Sequence, residues 1–391
     1  MPTQELNQLR VSKKWPEVEA YIKAELVSAP ESPDLWFCLS ESVGAQNRYA
    51  ESLQYAQRSI SFDPMRYQGW AFLANAYAGL GDWGNVEASA KRALELAPDL
   101  PQAHWLIGHC AMARGDWGEA WTHLEHGVLC DMRKFRALPS KAWKGEKCKG
   151  KTLFVWSEQG AGDSIQYARF LPLLKDRTGA HIIFECRSNV VHLVQHLADM
   201  VVAEQADKTM TFNYDYHLPV MDIPRILGLE TKDISGKPYL ESQERDDGIG
   251  KVGLVWQGFR GHANDHNRSI PVNLLDEFKE IPDVVAIQPF EESPEWLENL
   301  PVSDYASTAQ VLSGMRALIT IDTATAHIAG ALGVPVIMIA PIGNTEPRWA
   351  AGNSTPWYDS MTIIHSSTFE EGIQKAKEKL EELTVRSIHV A

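Results

Sequence analysis

The sequence predicts a multidomain chain: an all-α repeat solenoid followed by a module of two Rossmann-like α/β domains. Three observations carry this. Residues 1–132 repeat with a period of 34, strands and helices alternate after about residue 150, and the alternation restarts near residue 251. At 391 residues the chain exceeds one ordinary core, so several domains are expected.

The period is visible in several registers. Pro30, Pro64 and Pro98 stand 34 apart, as do Trp15, Tyr49, Trp83 and Trp117, and Trp36, Trp70 and His104 form a third series. A 34-residue unit of two helices closed by Pro is the signature of tetratricopeptide repeats. Small residues such as Ala74, Ala78 and Ala90 let paired helices approach, Gly81 and Gly115 break the chain between helices, and Pro64 and Pro98 end the second helix. About three full repeats with an atypical helical unit in front are expected. One hairpin cannot bury its apolar face alone, so stacking supplies the core. Such an array reads either as a scaffold or dimerisation surface or as a groove for a peptide or other acceptor.

Residues 133–150 are basic and aperiodic, and read as a connector. Beyond them "TLFVW" and "HIIFEC" read as strands, with helices at 163–176 and 188–198, then "YDYHLP" as a strand and 221–228 as a short helix. A polar stretch at 241–250 reads as a linker, dividing domains at 151–245 and 246–391. "KVGLVW", "VVAIQP", "ALITI" and "PVIMIA" are the strands of the second. Their continuous apolar runs suit parallel strands covered on both faces, whose ligands bind beyond the carboxyl ends.

Three segments fall there. In "SEQGAGDS", Gly160 and Gly162 let backbone pass close to a ligand, and Asp163 stands where it caps a helix. The spacing fits neither a dinucleotide fingerprint nor a P-loop. "WQGFRGHANDHNRSIP" is a long polar loop in which Arg268, followed by Ser269, offers a guanidinium for a diphosphate. Its His262 and His266 lack an obvious third partner for a metal. "ITIDTATAH" ends a strand at Asp322 and opens a helix with Thr323 and Thr325, a natural pyrophosphate site. Ala324 leaves room for close approach. Asp322 reads as a cap or as an acid that fixes nearby N–H groups, and His327 as a packed ring or a phosphate or ribose donor. Trp349, Trp357 and Tyr358 read as stacking partners for a base or sugar, or as a hydrophobic lid.

The run "DTATAHIAGALGVP", from Asp322 to Pro335, together with "GAGDS" resembles the hallmarks of the family-nine glycosyltransferases, the heptosyltransferases. The whole chain is similar to bacterial and phage proteins that join tetratricopeptide repeats to such a module, and more distantly to the protein O-linked N-acetylglucosamine transferases. The resemblance implies a GT-B module and inverting transfer of a sugar from a nucleotide-diphosphate sugar. It implies Asp163 as base, with Asp322, Thr323, Ala324 and His327 at the diphosphate and Arg268 as the basic contact; Trp256, Gly258, Ser269 and Thr325 complete the expected donor side. Glu158, Gln159, Gly160, Gly162, Gln166 and His217 fall on the acceptor side. The family more often has Lys where Arg268 is the candidate, and Gly where Ala324 stands.

No D-x-D motif is present, so no metal or other cofactor is expected. The acceptor implied first is a protein or peptide held partly by the repeats, then a glycan, then a modified DNA base. The net charge of −14 disfavours nucleic acid. The five scattered cysteines, the absence of an apolar signal core in the first 20 residues and the absence of a long apolar run suggest a cytoplasmic protein without a membrane span. Homo-oligomers through the repeats stay open, as does a non-catalytic scaffold with a degenerate GT-B half.

Overall fold

The computed structural model describes residues 4–205, 212–261, 265–288, 293–341 and 346–390. The chain divides into two compact units, Met1–Met132 and Arg133–Ala391.

The first unit is a run of four helix pairs: α1 (Gln4–Val11) with α2 (Trp15–Ser28), α3 (Pro33–Gly44) with α4 (Tyr49–Phe62), α5 (Tyr67–Gly79) with α6 (Trp83–Leu96), and α7 (Pro101–Ala113) with α8 (Trp117–Leu124). The atypical unit in front is the pair α1–α2. Trp15, Tyr49, Trp83 and Trp117 each open the second helix of a pair. The other two sequence series explain each other. Trp36 Nε1 donates to the Pro30 carbonyl at 2.7 Å and Trp70 Nε1 to the Pro64 carbonyl at 2.9 Å. His104 Nε2 meets the Pro98 carbonyl at 2.9 Å, which fixes an N–H on that nitrogen. Each ring thus closes the turn between repeats by satisfying a carbonyl that the following Pro-initiated bend leaves bare.

A fourth register escapes the sequence reading. Lys13, Asn47, Gly81 and Gly115 all have positive φ, at 54°, 62°, 74° and 78°. The turn inside every pair therefore needs one left-handed residue, and only two of the four positions use Gly. Asp82 and Asp116 follow two of them and cap α6 and α8 through the amides of Asn85 and Glu119. Ala74, Ala90, Ala93 and Ala103 are buried where helices meet, as the close approach demands.

The second unit holds two five-stranded parallel sheets. The first is ordered β1-β5-β2-β3-β4, from β1 (Lys141–Ala142), β2 (Thr152–Trp156), β3 (His181–Cys186), β4 (Met200–Ala203) and β5 (Tyr216–Pro219). The second is ordered β10-β9-β8-β6-β7, from β6 (Val252–Val255), β7 (Val284–Ala286), β8 (Ala317–Thr320), β9 (Val336–Pro341) and β10 (Met361–Ser366). The central strands are buried along almost their whole length, in keeping with their unbroken apolar runs. Helices α9 (Ala161–Ala168), α10 (Phe170–Thr178), α11 (Val191–Val194) and α12 (Ile223–Ile226) belong to the first sheet. Helices α13 (Asp265–Arg268), α14 (Tyr305–Ser313), α15 (Ala324–Leu332) and α16 (Phe369–Val390) belong to the second.

Three expectations need correction. The single helix expected at 163–176 is two helices broken at Arg169, because Pro172 has no N–H for the Ala168 carbonyl and its ring crowds that group. The helix expected at 188–198 is only α11 with one 3-10 turn behind it, Gln195–Leu197. The residues taken as a connector are part of the first α/β domain. Lys141–Ala142 form its edge strand, and Arg133 lies buried, its Nη2 2.5 Å from Glu158 Oε1 and 2.8 Å from Asp222 Oδ1. Arg136 pairs with Glu185 and lies over Phe154 and Trp156. The basic run thus supplies counter-ions to carboxylates at the strand ends, where an unpaired buried charge would be costly.

Gly81→Ala is expected to destabilise the first unit by roughly 1–2 kcal/mol, because Ala resists the left-handed conformation. Urea denaturation of the full chain, followed by a probe in the repeats, measures it.

Candidate functional site

Each sheet has one point at which its strand order reverses: between β2 and β5 in the first and between β6 and β8 in the second. Crevices at such points bind the ligands of open α/β sheets. The first is filled. Glu158, just beyond β2, and Asp222, just beyond β5, both close on Arg133, with the Glu158 and Arg133 side chains no more than 1% exposed. Burial pushes the Glu158 carboxyl up against the opposing pull of Arg133, while the two carboxylates hold the Arg133 cation against the same burial. Glu158 is therefore held in a buried ion pair at the end of β2. His217 sits inside β5, buried, with its Nδ1 3.4 Å from Trp156 Nε1 and its basicity lowered by burial.

The second crevice is built from two strand ends. After β6, Trp256 turns into the core and is 1% exposed, packed as a wall of the domain. Beyond it the Gly258 N–H donates to Ser269 Oγ at 3.1 Å, and Ser269 Oγ donates to Asp265 Oδ1 at 3.1 Å. Arg268 Nε also reaches Asp265 Oδ1, at 3.2 Å, and its Nη1 donates to the Asp322 carbonyl at 2.9 Å. One guanidinium therefore ties the loop after β6 to the end of β8, across the reversal point. A Cβ at Gly258 would stand 2.5 Å from Asp265 Oδ1 and 2.6 Å from Arg268 Nη2, so a side chain there would displace this pair. Asp265 was not among the sequence candidates. Its only signal is the i, i+3 spacing to Arg268.

Thr323 precedes α15 in extended conformation, and among the described residues no side-chain hydrogen bond caps the helix. Asp322 contributes its carbonyl to Arg268 and is not the cap expected from sequence. Thr323 Oγ1 lies 3.5 Å from Thr320 Oγ1. Ala324 and Thr325, half-buried, occupy the first turn, where N–H groups and the helix dipole favour an anion. His327, one turn in, is buried. Its Nδ1 is 2.9 Å from the Tyr358 hydroxyl, and burial drives its pKa down to about 4, so the ring is neutral. Of the two readings of His327, the packed ring is the one this geometry matches.

The first domain meets this helix start directly. A Cβ on Gly162 would lie 2.8 Å from His327 Cδ2 and 3.7 Å from the Ala324 Cα. The N-termini of α9 and α15 thus abut. Asp163 is on the next residue. Its Oδ2 accepts from the Gly160 N–H at 3.1 Å, the local cap, while its Oδ1 accepts from Arg348 Nη1 at 2.8 Å. Arg348 Nη1 also donates to Gln166 Oε1 at 2.7 Å, which puts buried Gln166 in the same cluster. Burial raises the Asp163 carboxyl, but the Arg348 charge and hydrogen bond, with the Gly160 amide, outweigh it and hold the group below the ordinary carboxylate range. Gln159 is half-buried beside this turn.

Arg348 was also missed, as were its neighbours' roles. Trp349, Trp357 and Tyr358 are each no more than 1% exposed, so they neither form a lid nor offer a face to a ligand. Arg169 explains two of them. Its guanidinium lies 5.1 Å from the Trp357 ring centre, 4.8 Å from Tyr358 and 4.6 Å from Tyr239, and Nη1 donates to the Ser235 and Trp357 carbonyls at 2.6 Å. The aromatic cluster joins the two domains around one cation.

Residues 297–384 match the model of glycosyltransferase family 9 (heptosyltransferase). The second unit is a glycosyltransferase module, and the match contains β8, α15 and Arg348. Over nearly the whole chain the protein is similar to protein FlbA of Caulobacter vibrioides, 23% identical over 407 residues, covering 90% of this chain and 67% of that protein. Among solved structures, a variant of the O-GlcNAc transferase of Thermobaculum terrenum covers 98% of this chain and 92% of its own at 13% identity and a TM-score of 0.36. The E. coli heptosyltransferase WaaC with ADP covers 59% of this chain and 99% of its own at 12% identity and a TM-score of 0.42.

Among the described residues no group of three or more His, Cys, Asp or Glu is disposed to hold a metal ion. His262 lies outside the described residues. No helix among the described residues is long and apolar enough to cross a membrane.

His327 gives this module a pH dependence of known sign. Its folded pKa of about 4 lies below the ordinary 6.5, so its stabilisation is complete above 6.5 and is lost as pH falls from 6.5 towards 4. Lowering the pH from 7 to 5 is expected to cost the native protein about 2 kcal/mol more than a His327→Asn variant. Urea midpoints of both proteins at the two pH values check this.

Proposed function

We propose that the protein is an inverting glycosyltransferase that moves a sugar from a nucleoside-diphosphate sugar to a protein or peptide. The observation that carries this reading is the abutment of α9 and α15, which brings an ionised carboxylate, Asp163, to an uncapped helix start at Thr323.

In this reading the diphosphate lies against the first turn of α15. The amides of Ala324 and Thr325 and the hydroxyls of Thr323 and Thr325 take its oxygens, and Arg268, pinned to the Asp322 carbonyl, adds positive charge. The acceptor oxygen attacks the anomeric carbon from the face opposite the diphosphate. Its proton passes to Asp163, the carbon–oxygen bond to phosphate breaks, and the electron pair leaves on the diphosphate. No metal is required, because fixed N–H groups and guanidinium groups meet the developing charge. The neutral His327 supports the α15 start through Tyr358 and carries no charge to the reaction.

A protein or peptide is the favoured acceptor because the first unit is a repeat array, an architecture that presents extended concave binding surfaces. A glycan or a modified DNA base are the other acceptor classes, the latter opposed by the net charge of −14. The five cysteines are free and mostly buried, which fits a reducing, cytoplasmic setting.

Incubation with a panel of UDP-, GDP-, ADP- and dTDP-sugars and candidate acceptors, read by intact mass, tests transfer. One donor is expected to add a single sugar, and Asp163→Asn is expected to lower turnover by about 100-fold or more while retaining donor binding. Wild-type turnover in that variant would remove Asp163 as base. No binding of any donor by the native protein would remove the reading itself.

A further inference from the structure

We propose that Arg348 is a positioning residue that latches Asp163 in the donor-free protein and gives it up to a nucleoside diphosphate. The proposal rests on the reading above of Asp163 and the α15 start.

Three features of Arg348 carry it. A single nitrogen, Nη1, makes both of its hydrogen bonds to the cluster, to Asp163 Oδ1 at 2.8 Å and Gln166 Oε1 at 2.7 Å. The other edge of the guanidinium is little used. Nε is buried and has no hydrogen-bond partner among the described residues, and Nη2 stands 3.8 Å from Glu346 Oε2, beyond hydrogen-bond reach. That edge, Nε with Nη2, is the planar fork that recognises two oxygens of one phosphate. The third feature is place. The turn that carries Asp163 packs on Ala324, so the latched pair stands beside the uncapped helix start. Arg348 also feels the charge of Asp322, at that same start, as well as those of Asp163 and Glu346.

The consequence is competition for one cation. While Arg348 holds Asp163, protonating the carboxylate would break an ion pair, so Asp163 is a poor proton acceptor. A diphosphate seated on α15 offers the guanidinium a doubly charged, bidentate partner. As Arg348 turns to it, Asp163 loses its counter-ion and its proton affinity rises. The base is armed only when the donor is in place. Gln166, whose Nε2 is buried without a partner among the described residues, keeps a hydrogen-bonding group at the spot Arg348 leaves.

Calorimetry on the full chain with ADP, UDP, GDP and dTDP tests this, using the native protein, Asp163→Asn, Arg348→Gln, Arg348→Lys and the double variant Asp163→Asn/Arg348→Gln. For whichever diphosphate the native protein binds, Asp163→Asn is expected to bind it about 3–10-fold tighter and Arg348→Gln about 10-fold weaker. Arg348→Lys, which keeps the charge and loses the fork, is expected between the native protein and Arg348→Gln. In the Arg348→Gln background the Asp163→Asn gain is expected to vanish. Native affinity in Arg348→Gln overturns the latch. An equal gain from Asp163→Asn with and without Arg348 also overturns it, since the gain is then simple relief of repulsion. If Arg348→Gln does not fold, native affinity in Arg348→Lys together with an unchanged Asp163→Asn overturns it. Binding of none of the four diphosphates by the native protein overturns the donor-site reading together with the latch, a result distinct from the others.

Discussion

The glycosyltransferase module depends on one close contact: the turn at Gly162 lies flat against the first turn of α15, with no room for a side chain between Gly162 and His327. Two helix N-termini do not meet without cost, since both carry partial positive charge. Asp163 answers that charge. Its carboxylate takes the Gly160 amide on one oxygen and the Arg348 guanidinium on the other, so the meeting point holds both an anion and a cation. The neutrality of His327 follows from burial at the same contact, with the Arg348 and Arg169 charges adding to it against the pull of Asp322 and Asp163.

Everything around the contact serves to hold it. Arg169 sits where Pro172 breaks the helix, and from there it gathers Tyr239, Trp357 and Tyr358 and ties the Ser235 carbonyl to that of Trp357 in the second domain. Arg133 fills the reversal point of the first sheet, and Arg268 spans that of the second. The difference between these two crevices separates the domains by role. One has its charges satisfied internally; the other ends in an uncapped helix and a loop arranged around Asp265. The repeats obey a separate local logic, in which a ring nitrogen closes on the carbonyl of Pro30, Pro64 or Pro98 and one left-handed residue turns each pair.

Sequence made much of this legible where a signal is local. The 34-residue period, the apolar strand runs and the Asp-Thr helix start all depend on neighbours along the chain. What stayed hidden depends on distance. Arg348 lies 185 residues from Asp163, and nothing near it in sequence marks it as a partner. Arg133 looked like part of a solvated basic linker because its two carboxylates come from elsewhere in the first domain. Trp349 and Trp357 read as stacking partners or a lid because an aromatic ring beside a loop looks the same in sequence whether it faces a cleft or a core. Lys13 and Asn47 concealed the left-handed turn because only Gly announces that conformation in sequence.

Hydrogen–deuterium exchange of the full chain, with and without a bound nucleoside diphosphate, tests most directly whether the meeting of α9 and α15 is the donor site. The account predicts slowed exchange at the amides of Ala324–Ala326, with a second protected patch at Gly258 and Ser269. Protection confined to any other part of the chain, with the α15 start unchanged, would contradict it.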